Sequence, residues 1–280
     1  MVSRTVAHQR QIRDQHALEL DPLLEDKKRQ ASSLKNAWVR EISRAEAETI
    51  ILKYEWLKSM GTTDCQFGLY FGEHLAGVVC FGRTAGTKTA ESICGKEHAH
   101  LVKTLNRGAC VHWAHPHSAS FLISHACRLM ADKGFHIFVA YSDTEAGEIG
   151  TVYQAGNWMY CGPTNGASSM FVWAGKPVRN GSGLDFFKDG KARDERNIQH
   201  MIRIRTDDSG PYRTKCSRRE MRRRLVEEGF VFFKTRPKHR YVNFVGDKDT
   251  AHTLQKALQW DVLPYPKREA EPTAVTQPVL

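Results

Sequence analysis

The apolar positions of this 280-residue chain change period several times, and each change predicts an element. Trp38 to Ile42 is a short strand-like run, and Ser43-Arg-Ala-Glu46 follows it with capping-box spacing, which predicts a helix to about Lys58. Gln66 to Phe71 and Leu75 to Gly82 are apolar runs joined by Gly72-Glu-His, the pattern of an antiparallel hairpin. After a polar loop, Val102 to Trp113 predicts another strand, and residues 118–133 carry a helical apolar period that Gly134 stops. Phe135 to Tyr141 is apolar throughout, as a strand covered on both faces must be. A short helix over 146–155 and strands over 157–160 and 169–173 complete the series. The order β, α, β, β, β, α, β, α, β, β predicts a mixed α/β sheet flanked by helices. In such a sheet a ligand lies where neighbouring parallel strands diverge.

Outside that series the texture differs. Residues 1–35 are rich in Gln, Arg, Asp and Lys and predict a helical or mobile extension; residues 36–178 hold the layered core. From Gly175 onward Gly, Asp, Lys and Arg take over, so a boundary is expected near residue 180, with a basic α+β subdomain over 179–268 and a frayed tail over 269–280. Ser217-Arg-Arg-Glu220 is a second capping box, and the helix it opens presents Arg218, Arg219, Arg222 and Arg223 on neighbouring faces before Gly229. Residues 230–234 and 240–245 then predict a pair of strands.

Charge sharpens this division. The chain carries 41 Lys+Arg against 31 Asp+Glu, a net charge of +10 that makes a polyanion, nucleic acid first, the expected partner. Between Arg213 and Arg240 there are eleven basic residues, Lys238 included, against three acids, so one tenth of the chain carries most of the excess. Lys and Arg in such a block neutralise phosphates and hold a duplex without reading its sequence.

Hydrophobic residues make up 41% of the chain, enough for a core, yet no apolar stretch approaches the roughly 18 residues of a membrane span. The first residues are basic but lack the apolar region of a signal peptide, so a cytoplasmic protein is expected. The seven cysteines are dispersed with no CxxC pair, which favours buried thiols over a zinc or redox site. His98, His100, His112, His115 and His117 raise a metal site for consideration, but strand alternation sends neighbours to opposite faces and no ligand set is assigned.

Polar residues crowd the end of the buried strand in Tyr141-Ser-Asp143 and the following segment to Asn157, where sheet enzymes place functional groups. Asp143 and Glu148 are the acids there; a purely structural alternative makes Asp143 the cap of the next helix. Several segments, in order, resemble the Mom family of bacteriophage DNA-modification proteins. They are Tyr54-Glu-Trp-Leu57, Phe67-Gly-Leu-Tyr70, Leu75-Ala-Gly-Val-Val79, Leu105-Asn-Arg-Gly108 and His117-Ser-Ala-Ser-Phe-Leu122, then Ala140-Tyr-Ser-Asp143, the run Gly147 to Ala155, Lys238-His-Arg-Tyr-Val242 and Pro264-Tyr-Pro-Lys267.

The resemblance covers about residues 38–268. It implies a core like that of the GNAT superfamily of N-acetyltransferases and the transfer of a carbamoylmethyl group to N6 of adenine in double-stranded DNA, which defeats restriction. The functional positions it implies are Tyr54, Glu55, Arg107, Ser118 or Ser120, Asp143 and Tyr153; the basic block, read from its charge, supplies Arg218, Arg219, Arg222, Arg223, Lys238 and Arg240 as the expected DNA contacts. Iron enters as a candidate cofactor by the same resemblance, but Glu55 stands where the family often has His and removes an imidazole there. The loop from Trp113 to Ser120 has no glycine and contains Pro116, which lacks an N–H, so acetyl-CoA bound in the superfamily's usual way is disfavoured.

In this chemistry Asp143, with Glu55 second, takes a hydrogen bond or proton from N6; Arg107 steadies a donor carbonyl; and Tyr54 and Tyr153 stack on or bond the base. Because N6 is paired in a duplex, the base is expected to leave the stack, with Trp56, Trp113 or Trp158 to receive it. Two other classes compete: an acetyl-CoA-dependent N-acyltransferase acting on a small molecule or protein, and a noncatalytic DNA-binding accessory protein.

Overall fold

The fold is that of a computed structural model, and it describes residues 8–164, 169–173, 176–179, 231–234 and 237–267. Two compact units emerge, one formed by residues 1–163 and 238–280, the other by residues 164–237. The chain therefore leaves the first unit earlier than the boundary expected near 180, and it returns before its C-terminus.

The strands of the first unit are β1 (Ala37–Glu41), β2 (Cys65–Phe71), β3 (His74–Gly82), β4 (Val102–Cys110), β5 (Ile137–Ser142), β6 (Met159–Pro163) and β10 (His239–Phe244). They form one seven-stranded sheet in the order β1-β2-β3-β4-β5-β10-β6. Every neighbouring pair is antiparallel except β4 with β5. In the second unit the described residues form a three-stranded sheet, with β7 (Ser169–Trp173) between β8 (Lys176–Arg179) and β9 (Val231–Lys234).

Local chemistry accounts for the boundaries. Helix α3 (Arg44–Tyr54) follows α1 (His8–His16) and α2 (Leu24–Gln30), and its start is a complete capping box. The Glu46 amide donates to Ser43 Oγ at 3.2 Å while the Ser43 amide donates to Glu46 Oε2 at 2.9 Å. The Ser43 amide first, then Arg40 and the Ser43 hydroxyl, donate to the Glu46 carboxyl and hold it down at about 2. The β2–β3 turn needs the left-handed backbone of Gly72 (φ +55°). Helix α5 (Ser118–Ala131) ends where Phe135 N reaches back to Met130 O at 3.1 Å across Gly134 (φ +86°), a glycine stop as expected.

Val78 to Phe81 and Ile137 to Ala140 are each at most 1% exposed over consecutive residues, so the sheet is covered on both faces. Helices α3 and α5 both pack on β2, β3 and β4. A second cluster joins α4 (Thr87–Cys94) and α7 (Lys248–Lys256) to β5 and β10 through Ile93, Val139, Val242 and Leu254.

Three expectations are corrected. The stretch at 239–244 does not pair with 231–234; it enters the main sheet as β10 between β5 and β6, while β9 pairs with β7. The apolar β5 requires a partner on its far side, and Tyr241 and Val242, both fully buried, supply it. The strand at 169–173, expected to close the main sheet, lies in the second unit's sheet instead. The helix expected over 146–155 shrinks to α6 (Thr151–Ala155) after a single turn at Thr144–Ala146, because Gly147 and Gly150 take positive φ of +71° and +78°.

Candidate active site

The one parallel pairing creates an opening. β4 and β5 run side by side for four residues, from Val102 opposite Ile137 to Leu105 opposite Ala140. Beyond that point β4 stays with β3, placing Arg107 opposite Cys80, whereas β5 stays with β10, placing Ser142 opposite His239. Two adjacent strands thus part at their carboxyl ends, where open α/β sheets receive ligands.

Arg107 stands on the β4 side of this seam. Its Nε donates to Ser59 O and its Nη1 to Asn106 O, both at 2.6 Å. A Cβ on Gly61 (φ +60°) would come within 2.8 Å of Nη2, so the loop after α3 wraps closely round the guanidinium. Glu55, the C-cap of α3, is 5% exposed, and its Oε2 accepts from the Leu57 amide at 2.8 Å. Burial pushes the Cys80 thiol up to about 12; the nearby Arg107 draws it down and Glu55 raises it, so both charges act on one sulfur.

Asp143 follows β5 directly. It is 8% exposed, and Lys238 Nζ lies 2.6 Å from its Oδ2. The amides of Ala146 and Glu148 donate to its main-chain carbonyl at 3.0 and 3.1 Å, folding the segment into a tight turn. Tyr153, on α6, packs its ring against those of Trp158 and Tyr241 at 5.2 and 5.3 Å. Burial first, then the Glu148 charge, pushes its phenol well up, with Glu55 adding to the same effect. A tyrosine so shifted remains a hydrogen-bond donor.

Ser118 opens α5 and is 1% exposed, and its Oγ has no hydrogen-bond partner among the described residues, as is also true of Ser142 Oγ on β5. Ser120 Oγ donates to His117 O at 3.1 Å and lines, with Arg128 and Trp158, a cleft of about 350 Å3. Tyr54 faces elsewhere: its hydroxyl meets His112 Nδ1 at 3.1 Å, and the pair lines a separate cleft of about 460 Å3 with Trp113. Tyr54 and Glu55, adjacent in sequence, therefore serve different surroundings.

Of the expected DNA contacts, Arg218, Arg219, Arg222 and Arg223 lie outside the described residues. Lys238 is engaged by Asp143. Arg240 packs its guanidinium 4.5 Å from the centre of the Trp260 ring and donates from Nη2 to Cys161 O at 2.8 Å. The pairing that sequence reasoning missed is that of Lys238 with Asp143. Its only forewarning was the lysine's position in Lys238-His-Arg-Tyr-Val242, at the head of a strand-like run.

The donors present decide what the site can hold. For iron, the described residues contain no group of three or more His, Cys, Asp and Glu that gathers as ligands, so they do not form its site. For coenzyme A, the loop before α5 turns two of its amides onto His115. His117 N donates to His115 Nδ1 at 3.2 Å and Ser118 N donates to His115 O at 2.9 Å. Those two amides are therefore spent within the loop itself.

Comparison with known proteins adds one family: the Mom protein family matches residues 36–267. No curated protein sequence matches the chain. Similar solved structures include an acetyltransferase of Bacillus subtilis in complex with CoA, with a TM-score of 0.37 and 10% identity over 75% of this chain and 99% of that one. An N-acyl amino acid synthase from uncultured soil microbes has a TM-score of 0.36 and 12% identity over 79% of this chain and 97% of its own. An N-acetyltransferase from Staphylococcus aureus Mu50 has a TM-score of 0.33 and 13% identity over 49% of this chain and 87% of its own.

Proposed function

This chain belongs to the Mom protein family, and from that membership we propose that it is a DNA-modifying transferase that adds a carbamoylmethyl group to the exocyclic N6 of adenine. The observation that supports this reading is the seam between β4 and β5, with a loop-clasped arginine, Arg107, on one strand and a buried carboxylate, Asp143, after the other. A carboxylate suits removal of the N6 proton, and a guanidinium suits a carbonyl on the donor.

The lone pair of N6 is delocalised into the purine ring, so a new bond forms as the N6 proton is withdrawn. In the proposed step N6 attacks the methylene carbon of an activated carbamoylmethyl donor. The bond from that carbon to the leaving group breaks, the leaving group departs with the electron pair, and the N6 proton passes to the Asp143 carboxylate. Arg107, permanently charged, faces the amide oxygen of the incoming group, and the protonated Tyr153 phenol supplies a further donor.

Asp143 Oδ2 is engaged by Lys238, so its use as the base requires Lys238 to let go. A phosphate is a competing anion for that ammonium, which makes the duplex itself the agent that uncovers the carboxylate. Because N6 is paired within the duplex, the adenine is extruded before reaction, least expensively where the helix is already weak.

The test is resistance of DNA. DNA from bacteria expressing the chain should resist cleavage by restriction enzymes whose sites contain adenine, and DNA from cells expressing Asp143→Ala or Arg107→Ala should be cut normally. Equal protection with Asp143→Ala would remove that residue from the chemistry; full cleavage with the soluble wild-type protein present would remove the reading.

A further inference from the structure

Helix α1 precedes the part of the chain that matches the family, residues 36–267, yet it is fastened beside the seam. Gln9 reaches two neighbours of the proposed site at once: its Nε2 donates to Gly108 O at 3.3 Å, and its Oε1 accepts from the Trp56 amide at 3.3 Å. Gly108 follows Arg107 on the stretch of β4 that β5 has left, and Trp56 follows Glu55. The far end of α1 is held by His16, whose Nε2 donates to Lys53 O at 3.1 Å and whose ring lies 4.6 Å from that of Tyr54.

Arg13 stands between these anchors, one turn after Gln9 and one turn before His16 on the same face of the helix. Its Nε is buried and unpartnered, so that atom is closed to any ligand and only fixes the stem of the side chain. The outer end differs: neither terminal nitrogen is buried, and neither takes part in a hydrogen bond or ion pair among the described residues. The other half-buried arginines among them, Arg107 and Arg240, each donate to a main-chain carbonyl. Burial first, then Glu19 and Asp21, raise the Tyr54 phenol to about 12 against the Arg13 charge, and both acids are already occupied, by Lys53 at 2.6 Å and by Lys27 at 2.7 Å. A guanidinium held at its stem and unmet at its fork is a receptor for an anion with paired oxygens, of which phosphate is the one that DNA supplies.

We propose that α1 is a DNA-contacting arm, in which the terminal nitrogens of Arg13 bind a backbone phosphate next to the adenine extruded at the seam. The proposal rests on the reading of the chain as a DNA-modifying enzyme and adds to it a contact in the first unit, beside the proposed reacting groups and separate in sequence from the basic block. A nucleotide whose base leaves the stack keeps a phosphate on either side, so a grip on one of them from the β4 side positions that nucleotide as well as binding it.

Binding of the full-length protein to a short duplex with one adenine opposite an abasic site, measured over a range of salt, tests it. Arg13→Gln should weaken binding about eightfold at ~0.1 M salt and lower the slope of log affinity against log salt by about 1, the loss of one neutralised phosphate, and Arg13→Lys should recover most of both. Methylphosphonates, which remove the charge of one phosphate at a time, locate the contact. At one of the two phosphates flanking the adenine the replacement should weaken binding by the unaltered protein as much as Arg13→Gln does, and should cost nothing more in that variant. An Arg13→Gln slope equal to that of the unaltered protein, or methylphosphonate losses that are the same in both proteins, overturns the proposal. So does the absence of any loss at either flanking phosphate in the unaltered protein, a result that no variant's folding can affect. The coupling found in a protein that leaves DNA unmodified would retain the arm and discard the proposed reaction; modified DNA without the coupling would do the reverse.

Discussion

Lys238 Nζ and Asp143 Oδ2 lie 2.6 Å apart, and the two residues come from the two sides of the second unit, Asp143 before it and Lys238 at the point where the chain returns. Asp143 is nearly buried and the lysine side chain is 29% exposed, so the pair stands between the exposed and the fully buried limits. Lys238→Met leaves the carboxylate without its ammonium and should cost about 2 kcal/mol in urea unfolding. Lys238→Arg should recover most of that deficit; if Met and Arg behave alike, the pair is not what holds the turn.

The insertion of β10 makes a different prediction. Val242 lies opposite Val139 and is fully buried, so Val242→Asp places an unpaired charge in the middle of the main sheet and should leave little soluble protein. Phe138→Ala, on the neighbouring strand, should cost about 3–5 kcal/mol. Soluble, cooperatively unfolding Val242→Asp protein would contradict the strand order.

Acid should weaken the fold through two histidines. Burial pushes both His112 and His239 below the ordinary imidazole value of 6.5. The unfolded chain then binds protons that the folded chain refuses, so stability is complete above about pH 6.5 and falls as pH drops through the window just beneath it. Urea midpoints measured from pH 8 to pH 5 should show this decline, and His112→Gln should flatten part of it. A decline of the same size in His112→Gln would clear that residue.

For the basic block, replacing Arg219, Arg222 and Arg223 together by Ala should weaken DNA binding and reduce the slope of log affinity against log salt by about 1 for each phosphate that an arginine had neutralised. An unchanged slope excludes these arginines as phosphate ligands.

Much of the main sheet could be read from sequence because its signals are local. The capping box at Ser43 and Glu46, the turn at Gly72, the stop at Gly134 and the apolar run from Ile137 each declare themselves within a few residues. Helix α4 stayed hidden in the polar loop because its start, Gly86, has no side-chain cap and its buried residues, such as Ala90 and Ile93, are few. Helix α7 buries only Leu254, although Asp247 Oδ1 accepting from the Thr250 amide at 2.8 Å marks its start. The candidate site was legible as a set of residue types, and its geometry was not. Nothing local says that Lys238 will meet Asp143, that Arg240 will turn inward onto Trp260, or that Tyr54 and Glu55 will part company.

The most direct measurement is mass spectrometry of nucleosides from the DNA of bacteria expressing the chain, compared with cells expressing Asp143→Ala. The account predicts a deoxyadenosine carrying a carbamoylmethyl group on N6 in the first sample and only ordinary deoxyadenosine in the second. Unmodified deoxyadenosine in both, with soluble protein present, would contradict it.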